Sequence, residues 1–91
     1  MKVVLSPRAE KDFEYWTKTG NKIILKKIGH LIEAIQSDPY TGIGKPEPLK
    51  YELSGAWSRR IDKEHRLVYQ ILDDGTLDIL SIISAKGHYQ L

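Results

Sequence analysis

The sequence predicts an α+β domain in which two N-terminal helices pack on a small, mostly antiparallel sheet, in the order β-α-α-β-β-β. Two observations carry this prediction. Residues 6–37 show helical spacing of apolar side chains, with capping residues before each helix. Residues 56–84 contain three strand-like runs separated by short turns. A chain of 91 residues has room for one domain, residues 1–91, with one core.

The first strand and the first helix follow one another directly. Residues 2–5 are rich in β-branched side chains. Ser6 suits a helix N-cap and Pro7 suits the first helical position. We therefore expect a helix from Pro7 to about Thr17. Its apolar residues recur at helical spacing: Ala9, Phe13 and Trp16.

The second helix has the clearest amphipathic pattern in the chain. Asn21 can cap it, and residues 37–39 (Ser-Asp-Pro) end it. One stripe is apolar: Ile24, Ile28, Leu31 and Ile35. The opposite side is polar: Lys22, Lys26, His30 and Glu33. This pattern predicts a helix that packs on a flat surface.

The rest of the chain is predicted to be a loop followed by the sheet. Residues 39–55 should form a loop or an extended segment, because glycine and proline cluster in residues 42–48. Three strands and two intervening turns should follow. The strands are predicted at residues 56–61, 65–72 and 76–84, and the turns at residues 62–64 and 73–75.

Composition excludes several kinds of protein. The chain has no cysteine, which removes disulfides, thiolate nucleophiles and Cys-ligated zinc. No apolar run approaches the ~18 residues of a membrane span, and the N-terminus lacks a signal-peptide core. We therefore expect a cytoplasmic protein without membrane contact. No metal-ligand spacing or glycine-rich phosphate loop is present, so no cofactor or metal is expected.

The charges favour the first two-thirds of the chain as a binding surface for a polyanion. The net charge is only +2, but every basic residue except Lys86 lies within residues 1–66. A clustered excess of Lys and Arg attracts nucleic acid. On charge alone, however, an ordinary solvated surface is the better explanation.

A pair of arginines stands out in the predicted hairpin. If the turn is residues 62–64, Arg60 faces Arg66 across the strands, on the same side of the sheet. Like charges in that position are destabilising unless an anion lies between them, and arginine suits phosphate oxygens. The alternative is that both side chains extend into solvent.

Two further residues are candidates for acid–base chemistry. Glu47 lies between Pro46 and Pro48, which restrict the backbone to extended conformations, as suits a fixed general base. It could also be an incidental residue of a rigid linker. His88 lies near the chain end and could act as an acid or belong to a frayed terminus. His30 and His65 are interpreted as surface residues. A carboxylate, arginines and a histidine suffice for RNA cleavage without metal.

The order of these residues resembles the YoeB (Txe) family of the RelE/ParE toxin–antitoxin superfamily. The resemblance covers nearly the whole chain, including Tyr15-Trp16. It is carried by the segments Gly44-Lys45-Pro46-Glu47-Pro48-Leu49-Lys50, Leu53-Ser54-Gly55-Ala56-Trp57-Ser58-Arg59-Arg60-Ile61, Glu64-His65-Arg66-Leu67-Val68-Tyr69 and His88-Tyr89.

The resemblance implies a microbial-ribonuclease-like fold and ribosome-dependent cleavage of mRNA in the A site, without metal. Glu47 would be the general base, His88 the general acid, and Arg66 the group that stabilises the transition-state phosphate. The remaining implied site residues are Arg60 and Tyr89 in the catalytic site, and Lys45, Lys50, Arg59 and Lys86 as RNA contacts.

The resemblance also implies partners. These are the 70S ribosome with its mRNA and a YefM-type antitoxin, whose C-terminal segment folds over the toxin. Operator DNA would be bound only through the antitoxin complex, and the family's toxins commonly form homodimers. Two alternatives remain open: a ParE-like toxin that binds DNA gyrase, and a degenerate toxin retained as an antitoxin partner and co-repressor.

Overall fold

The computed structural model describes residues 1–84 and confirms the predicted α+β arrangement, with one additional short strand. The helices are α1, Pro7–Lys18, and α2, Lys22–Ser37. The strands are β1, Val3–Leu5; β2, Glu47–Pro48; β3, Trp57–Arg60; β4, His65–Ile71; and β5, Leu77–Ser84. A single 3₁₀ turn covers Tyr51–Leu53.

Both helices begin at the predicted capping residues. The Ser6 hydroxyl accepts a hydrogen bond from the Ala9 backbone N–H at 3.0 Å, and Pro7 occupies the first helical position. The Asn21 side chain accepts from the Ile24 N–H at 3.1 Å. Each cap satisfies a donor that the first helical turn leaves unpaired.

The strands form one five-stranded sheet in the order β1-β5-β4-β3-β2. β1 runs parallel to β5, and the other neighbours are antiparallel. Arg60 pairs with Arg66, so the predicted hairpin register is confirmed. The β4–β5 ladder shifts register between Val68 and Tyr69.

One face of the sheet carries the main core. The apolar stripe predicted for α2 is buried, and it packs with Ala9 of α1 and with sheet residues of the same face. These sheet residues are Ile61, Leu67, Tyr69, Leu77, Ile79 and Ile82. The two helices therefore cover this face.

A second, smaller apolar cluster lies on the opposite face. Its buried members are Leu49, Ala56, Val68 and Ile83. Leu53 and Leu80 pack against it and stay partly exposed. Within residues 1–84, neither helix contributes to this cluster, and we call this side of the sheet the open face.

The segment predicted as a loop or extended chain is more ordered than its glycines and prolines indicate. Glu47 and Pro48 form β2 by pairing with Ser58 and Trp57. The Leu49 N–H then donates to the Ala56 carbonyl at 2.9 Å. This bond joins the two ends of the loop that contains the 3₁₀ turn. Burial of Leu49 in the second cluster holds this segment against the sheet. Within residues 1–84, both helices are too short or too polar to cross a membrane.

Candidate active site

The candidate site lies on the open face of the sheet, where three neighbouring strands meet. Glu47 of β2 pairs with Ser58 of β3, and Arg60 of β3 pairs with Arg66 of β4. Because side chains alternate between the two faces of a strand, Ser58, Arg60 and Arg66 project from the same face. Ile61 belongs to the helix-covered core, which places its neighbour Arg60 on the open face.

Arg66 is buried and firmly oriented. Only 5% of its side chain is exposed. Its Nε donates to the Ser58 hydroxyl at 2.9 Å, and its Nη2 donates to the carbonyls of Lys45 and Ser58 at 3.2 and 3.3 Å. A guanidinium held in this way needs little reorganisation to meet an anion.

Glu47 lies beside Arg66 but remains open to solvent. The two side chains approach to 3.9 Å, between Nη2 of Arg66 and Oε1 of Glu47, and 53% of the Glu47 side chain is exposed. That distance is too long for a hydrogen bond. The carboxylate is therefore electrostatically paired and still accessible to a substrate hydroxyl.

Arg60 has the position that the sequence predicts, but the two arginines differ in exposure. Arg60 is exposed, whereas Arg66 is buried. The interpretation that both extend into solvent therefore does not hold for Arg66. The backbone N–H of Arg60 bonds to the Gly44 carbonyl at 2.6 Å, which ties β3 to the segment that leads into β2.

Two exposed lysines flank β2. Lys45 precedes it with a φ of 49°, and its carbonyl is one of the acceptors for Arg66. Lys50 follows it in an extended conformation. Both residues are exposed, and their contact with RNA stays a prediction.

The structure corrects the prediction for Arg59. This arginine is fully buried, with 0% exposure, and lies on the helix-covered side of β3. Its guanidinium bonds to the Tyr69 hydroxyl and to the carbonyls of Asp38, Thr41 and Ile43. A side chain enclosed in this way cannot reach RNA on the open face.

His65 is also less exposed than predicted. Its Nδ1 lies 3.0 Å from Oδ1 of Asp62, and its ring meets Trp16 edge-to-face at 4.8 Å. Burial raises the pKa of Asp62, but the N–H groups of Glu64 and His65 and the His65 ring outweigh it, so the pKa is lowered overall. His65 therefore helps to close the hairpin and does not belong to the open face.

Three predicted site residues, Lys86, His88 and Tyr89, lie outside the described residues. Within residues 1–84, His, Asp and Glu form no cluster of three that could hold a metal ion.

Sequence reasoning missed Ser58, a buried residue whose hydroxyl orients Arg66. Strand alternation could have identified it, because Ser58 lies two residues before Arg60 and therefore projects from the same face of the sheet. The hydroxyl itself carries no distinguishing charge, which is why it was overlooked.

Comparison with known proteins identifies close relatives. The profile described as "YoeB-like toxin of bacterial type II toxin-antitoxin system" matches residues 5–89. Toxin YoeB of Synechocystis is 51% identical over 90 residues, which cover 99% of each chain. Toxin YoeB of Escherichia coli K12 is 47% identical over 89 residues, which cover 98% of this chain and 100% of the relative.

Solved structures show the same likeness in three dimensions. The YoeB/ParE toxin from Agrobacterium tumefaciens superposes with a TM-score of 0.87 at 38% identity, over 98% of this chain and 100% of that one. A YoeB dimer from Staphylococcus aureus gives 0.82 at 41% identity, and a YoeB-YefM complex from the same organism gives 0.81 at 42%. Both comparisons cover 98% of each chain.

Proposed function

Because the chain belongs to the YoeB-like toxin family of bacterial type II toxin–antitoxin systems, we propose that it is a ribosome-dependent endoribonuclease that cleaves mRNA in the A site and inhibits translation. One observation carries this proposal. On the open face, an accessible carboxylate, Glu47, lies 3.9 Å from a guanidinium, Arg66, that is held by three hydrogen bonds.

Glu47 acts as the general base in this proposal. Its carboxylate takes the proton from a ribose 2′-hydroxyl, and the 2′-oxygen attacks the adjacent phosphorus. The exposed position of Glu47 lets a ribose approach it directly. The neighbouring prolines and the pairing with Ser58 fix the backbone from which the carboxylate projects.

Arg66 stabilises the charge that develops on the phosphate. The pentavalent phosphorane carries more negative charge than the starting diester, and a preoriented cation favours it selectively. Arg60, exposed on the neighbouring strand, adds a second positive charge on the same face. Two cations around one carboxylate leave a net positive site that attracts an RNA backbone.

His88 completes the reaction as the proposed general acid. The bond from phosphorus to the 5′-oxygen breaks, and this oxygen takes a proton from the imidazolium. The products are a 2′,3′-cyclic phosphate and a free 5′-hydroxyl, without a metal ion. Tyr89 is proposed to complete the catalytic site, and Lys45, Lys50 and Lys86 to contact RNA.

A YefM-type antitoxin is the proposed partner, because a Staphylococcus aureus relative that is 42% identical is described as a YoeB-YefM complex. The antitoxin segment would cover the open face and bring acidic side chains to Arg60 and Arg66. Operator DNA would be bound through the antitoxin. A homodimer is also proposed, because another structure of a relative is described as a YoeB dimer.

Translation of a defined mRNA on purified 70S ribosomes, with cleavage mapped by primer extension, tests the proposal. Glu47→Gln should keep the fold and lower the cleavage rate by roughly 10²–10⁴-fold, the usual effect of a positioned proton-transfer group. Glu52→Gln is the matched control, because it removes another exposed carboxylate from the 3₁₀ turn nearby and should cleave normally.

Two outcomes would count against the proposal. Full cleavage by a folded Glu47→Gln protein would remove Glu47 from the mechanism. No cleavage by the wild-type chain on translating ribosomes would favour a toxin that acts by binding alone.

A further inference from the structure

Arg59 is a buried cation, and three of its four side-chain hydrogen bonds join it to the segment of residues 38–43. Within the described residues, its four bonds go to uncharged oxygens: the Tyr69 hydroxyl at 3.1 Å, and the carbonyls of Ile43 at 3.1 Å, Asp38 at 2.6 Å and Thr41 at 2.9 Å. A buried charge is costly unless it is fully hydrogen-bonded. The three carbonyls therefore have to stay converged on the guanidinium.

Tyr69 extends the same network to a fourth carbonyl. Its hydroxyl accepts from Arg59 and donates to the Pro39 carbonyl at 2.6 Å. Burial raises the pKa of Tyr69, so the hydroxyl keeps the proton that this bond requires. Arg59 and Tyr69 together thus hold residues 38–43 at four backbone carbonyls.

The exposed Asp38 carboxylate holds the same segment by further hydrogen bonds. It accepts from the backbone N–H groups of Tyr40 and Thr41 and from the Thr41 hydroxyl. The Thr41 hydroxyl and the Tyr40 N–H are the main reasons why the pKa of Asp38 is lowered. The segment is thus hydrogen-bonded from both sides, with the guanidinium inside.

Gly44 connects the hydrogen-bonded segment, residues 38–43, to the chain that leads into β2. It has a φ of 83°, and a Cβ at this position would lie 2.9 Å from Leu31 Cδ2 and 3.0 Å from Arg59 Cβ. The chain therefore passes directly over the Arg59 side chain. Only Lys45 and Pro46 separate Gly44 from Glu47, and the Lys45 carbonyl is already bonded to Arg66.

We propose that Arg59 is a positioning residue that fixes residues 38–44, and through them places Glu47 and the Lys45 carbonyl against Arg66. Arg59 touches no substrate in this proposal, which rests on the proposed cleavage of mRNA. Three consecutive residues of β3 each contact a different part of the chain that leads to Glu47. Ser58 pairs with Glu47, the Arg59 side chain holds the preceding segment, and the Arg60 N–H bonds to Gly44.

Single-turnover cleavage of ribosome-bound mRNA at increasing toxin concentration tests this role. Tyr69→Phe removes one hydroxyl from the network and keeps the ring. Arg59→Lys keeps the charge but cannot span four acceptors. Because a displacement of about 1 Å at a reacting group can cost 10²-fold, we expect saturating rates roughly 10-fold lower for Tyr69→Phe and up to 10²-fold lower for Arg59→Lys. The half-saturating concentration should not change.

Two controls separate positioning from general stability. Tyr15→Phe removes an exposed hydroxyl on α1 and should cleave normally. Ile35→Val removes one buried methyl group from the main core and should lower the melting temperature without lowering the saturating rate. If Arg59→Lys fails to fold, Tyr69→Phe with these controls still decides the question.

Amide hydrogen exchange of residues 40–45 gives a readout that does not depend on cleavage. In Tyr69→Phe these amides should exchange faster, while those of α2 stay protected. If wild-type protein cleaves no mRNA, the proposed function fails, and unchanged exchange would separately overturn the positioning role. With active wild-type protein, wild-type saturating rates in both variants, or losses confined to the half-saturating concentration, would also overturn it.

Discussion

The Ser58 hydroxyl is one of the three hydrogen-bond acceptors that orient Arg66. The Nε of Arg66 donates to this oxygen at 2.9 Å, and both side chains are buried. Ser58→Ala should leave Nε without that partner and cost about 1–3 kcal/mol of unfolding free energy. Cleavage should fall by roughly 10-fold or more, because the proposed phosphate contact loses its fixed direction.

Ser81→Ala is a matched control for this prediction. Ser81 is another buried serine, and it lies in the same row across the sheet, since Ser58 pairs with Val68 and Val68 pairs with Ser81. Thermal unfolding and ribosome cleavage of both variants decide the question. Equal activity of the two variants would show that Ser58 contributes only packing.

Arg59 and Arg60 show what residue type alone cannot predict. The two side chains are chemically identical and adjacent, yet one lies beneath the helices and the other on the open face. Strand alternation contained the answer, because it places Arg59 on the side of the apolar Ile61 and Arg60 on the opposite side. What alternation could not predict is that carbonyls from a loop 16–21 residues away would surround the guanidinium.

At the scale of elements, three aspartates stabilise turns in the same way. Asp38, Asp62 and Asp74 each accept backbone N–H bonds from residues two or three positions later. The pKa of each carboxyl is lowered: for Asp38 chiefly by the Thr41 hydroxyl, and for Asp74 chiefly by the Thr76 N–H and hydroxyl. For Asp62, burial raises the pKa, but the bonds from Glu64 and His65 outweigh it. Turn residues of this type can be recognised in the sequence, which explains why the turns predicted at residues 62–64 and 73–75 lie within one residue of the observed connections, residues 61–64 and 72–76.

The lowered pKa of Asp62 gives the β3–β4 hairpin a predictable acid sensitivity. A carboxyl with a lowered pKa stabilises the fold above its ordinary value of 3.8 and loses that contribution as pH falls through the folded value. The unfolding free energy of Asp62→Asn should therefore vary less with pH below 4 than that of the wild-type chain. Chemical denaturation at several pH values measures this difference.

Asp73→Asn, in the other hairpin turn, controls for the general effect of removing a negative charge. Asp62→Asn should depart from the wild-type acid profile more than Asp73→Asn does, because the Asp62 carboxylate accepts bonds from the Glu64 and His65 N–H groups. Identical acid profiles for all three proteins would contradict the assigned role of the Asp62 carboxylate.

Strand β2 marks the limit of prediction at this scale. Two residues give no alternating pattern, and both flanking and internal prolines argue against a strand. The strand exists because Ser58 and Trp57 offer a sheet edge and because Leu49 is buried just beyond it. These are contacts between distant parts of the chain, whereas the helices and the β4–β5 hairpin arise from local patterns.

At the scale of the whole molecule, the two faces of the sheet have different chemistry. The helices cover one face, and the other combines Arg60 and Arg66 with a partly exposed apolar cluster. We expect an antitoxin segment to bind this face through acidic and apolar side chains, so its dissociation constant should increase with salt concentration. Titration of a YefM-type antitoxin into the toxin at several salt concentrations measures this dependence.

Arg60→Gln should weaken antitoxin binding and reduce its salt dependence. Lys26→Gln, which removes an exposed charge from α2 on the other side of the sheet, should change neither. Affinity that is indifferent to salt would exclude Arg60 and Arg66 as the main anchors of the antitoxin.

The position of β2 at the end of the strand order also affects how readily another chain could extend the sheet at this edge. An outermost strand with free N–H groups would accept another chain and begin a growing stack. Here that strand has only two residues, and Pro48 brings no N–H group. The prolines on either side of the Glu47 carboxylate thus also make this border of the sheet a poor template for aggregation. A partner that docks here has to use side chains rather than add a strand.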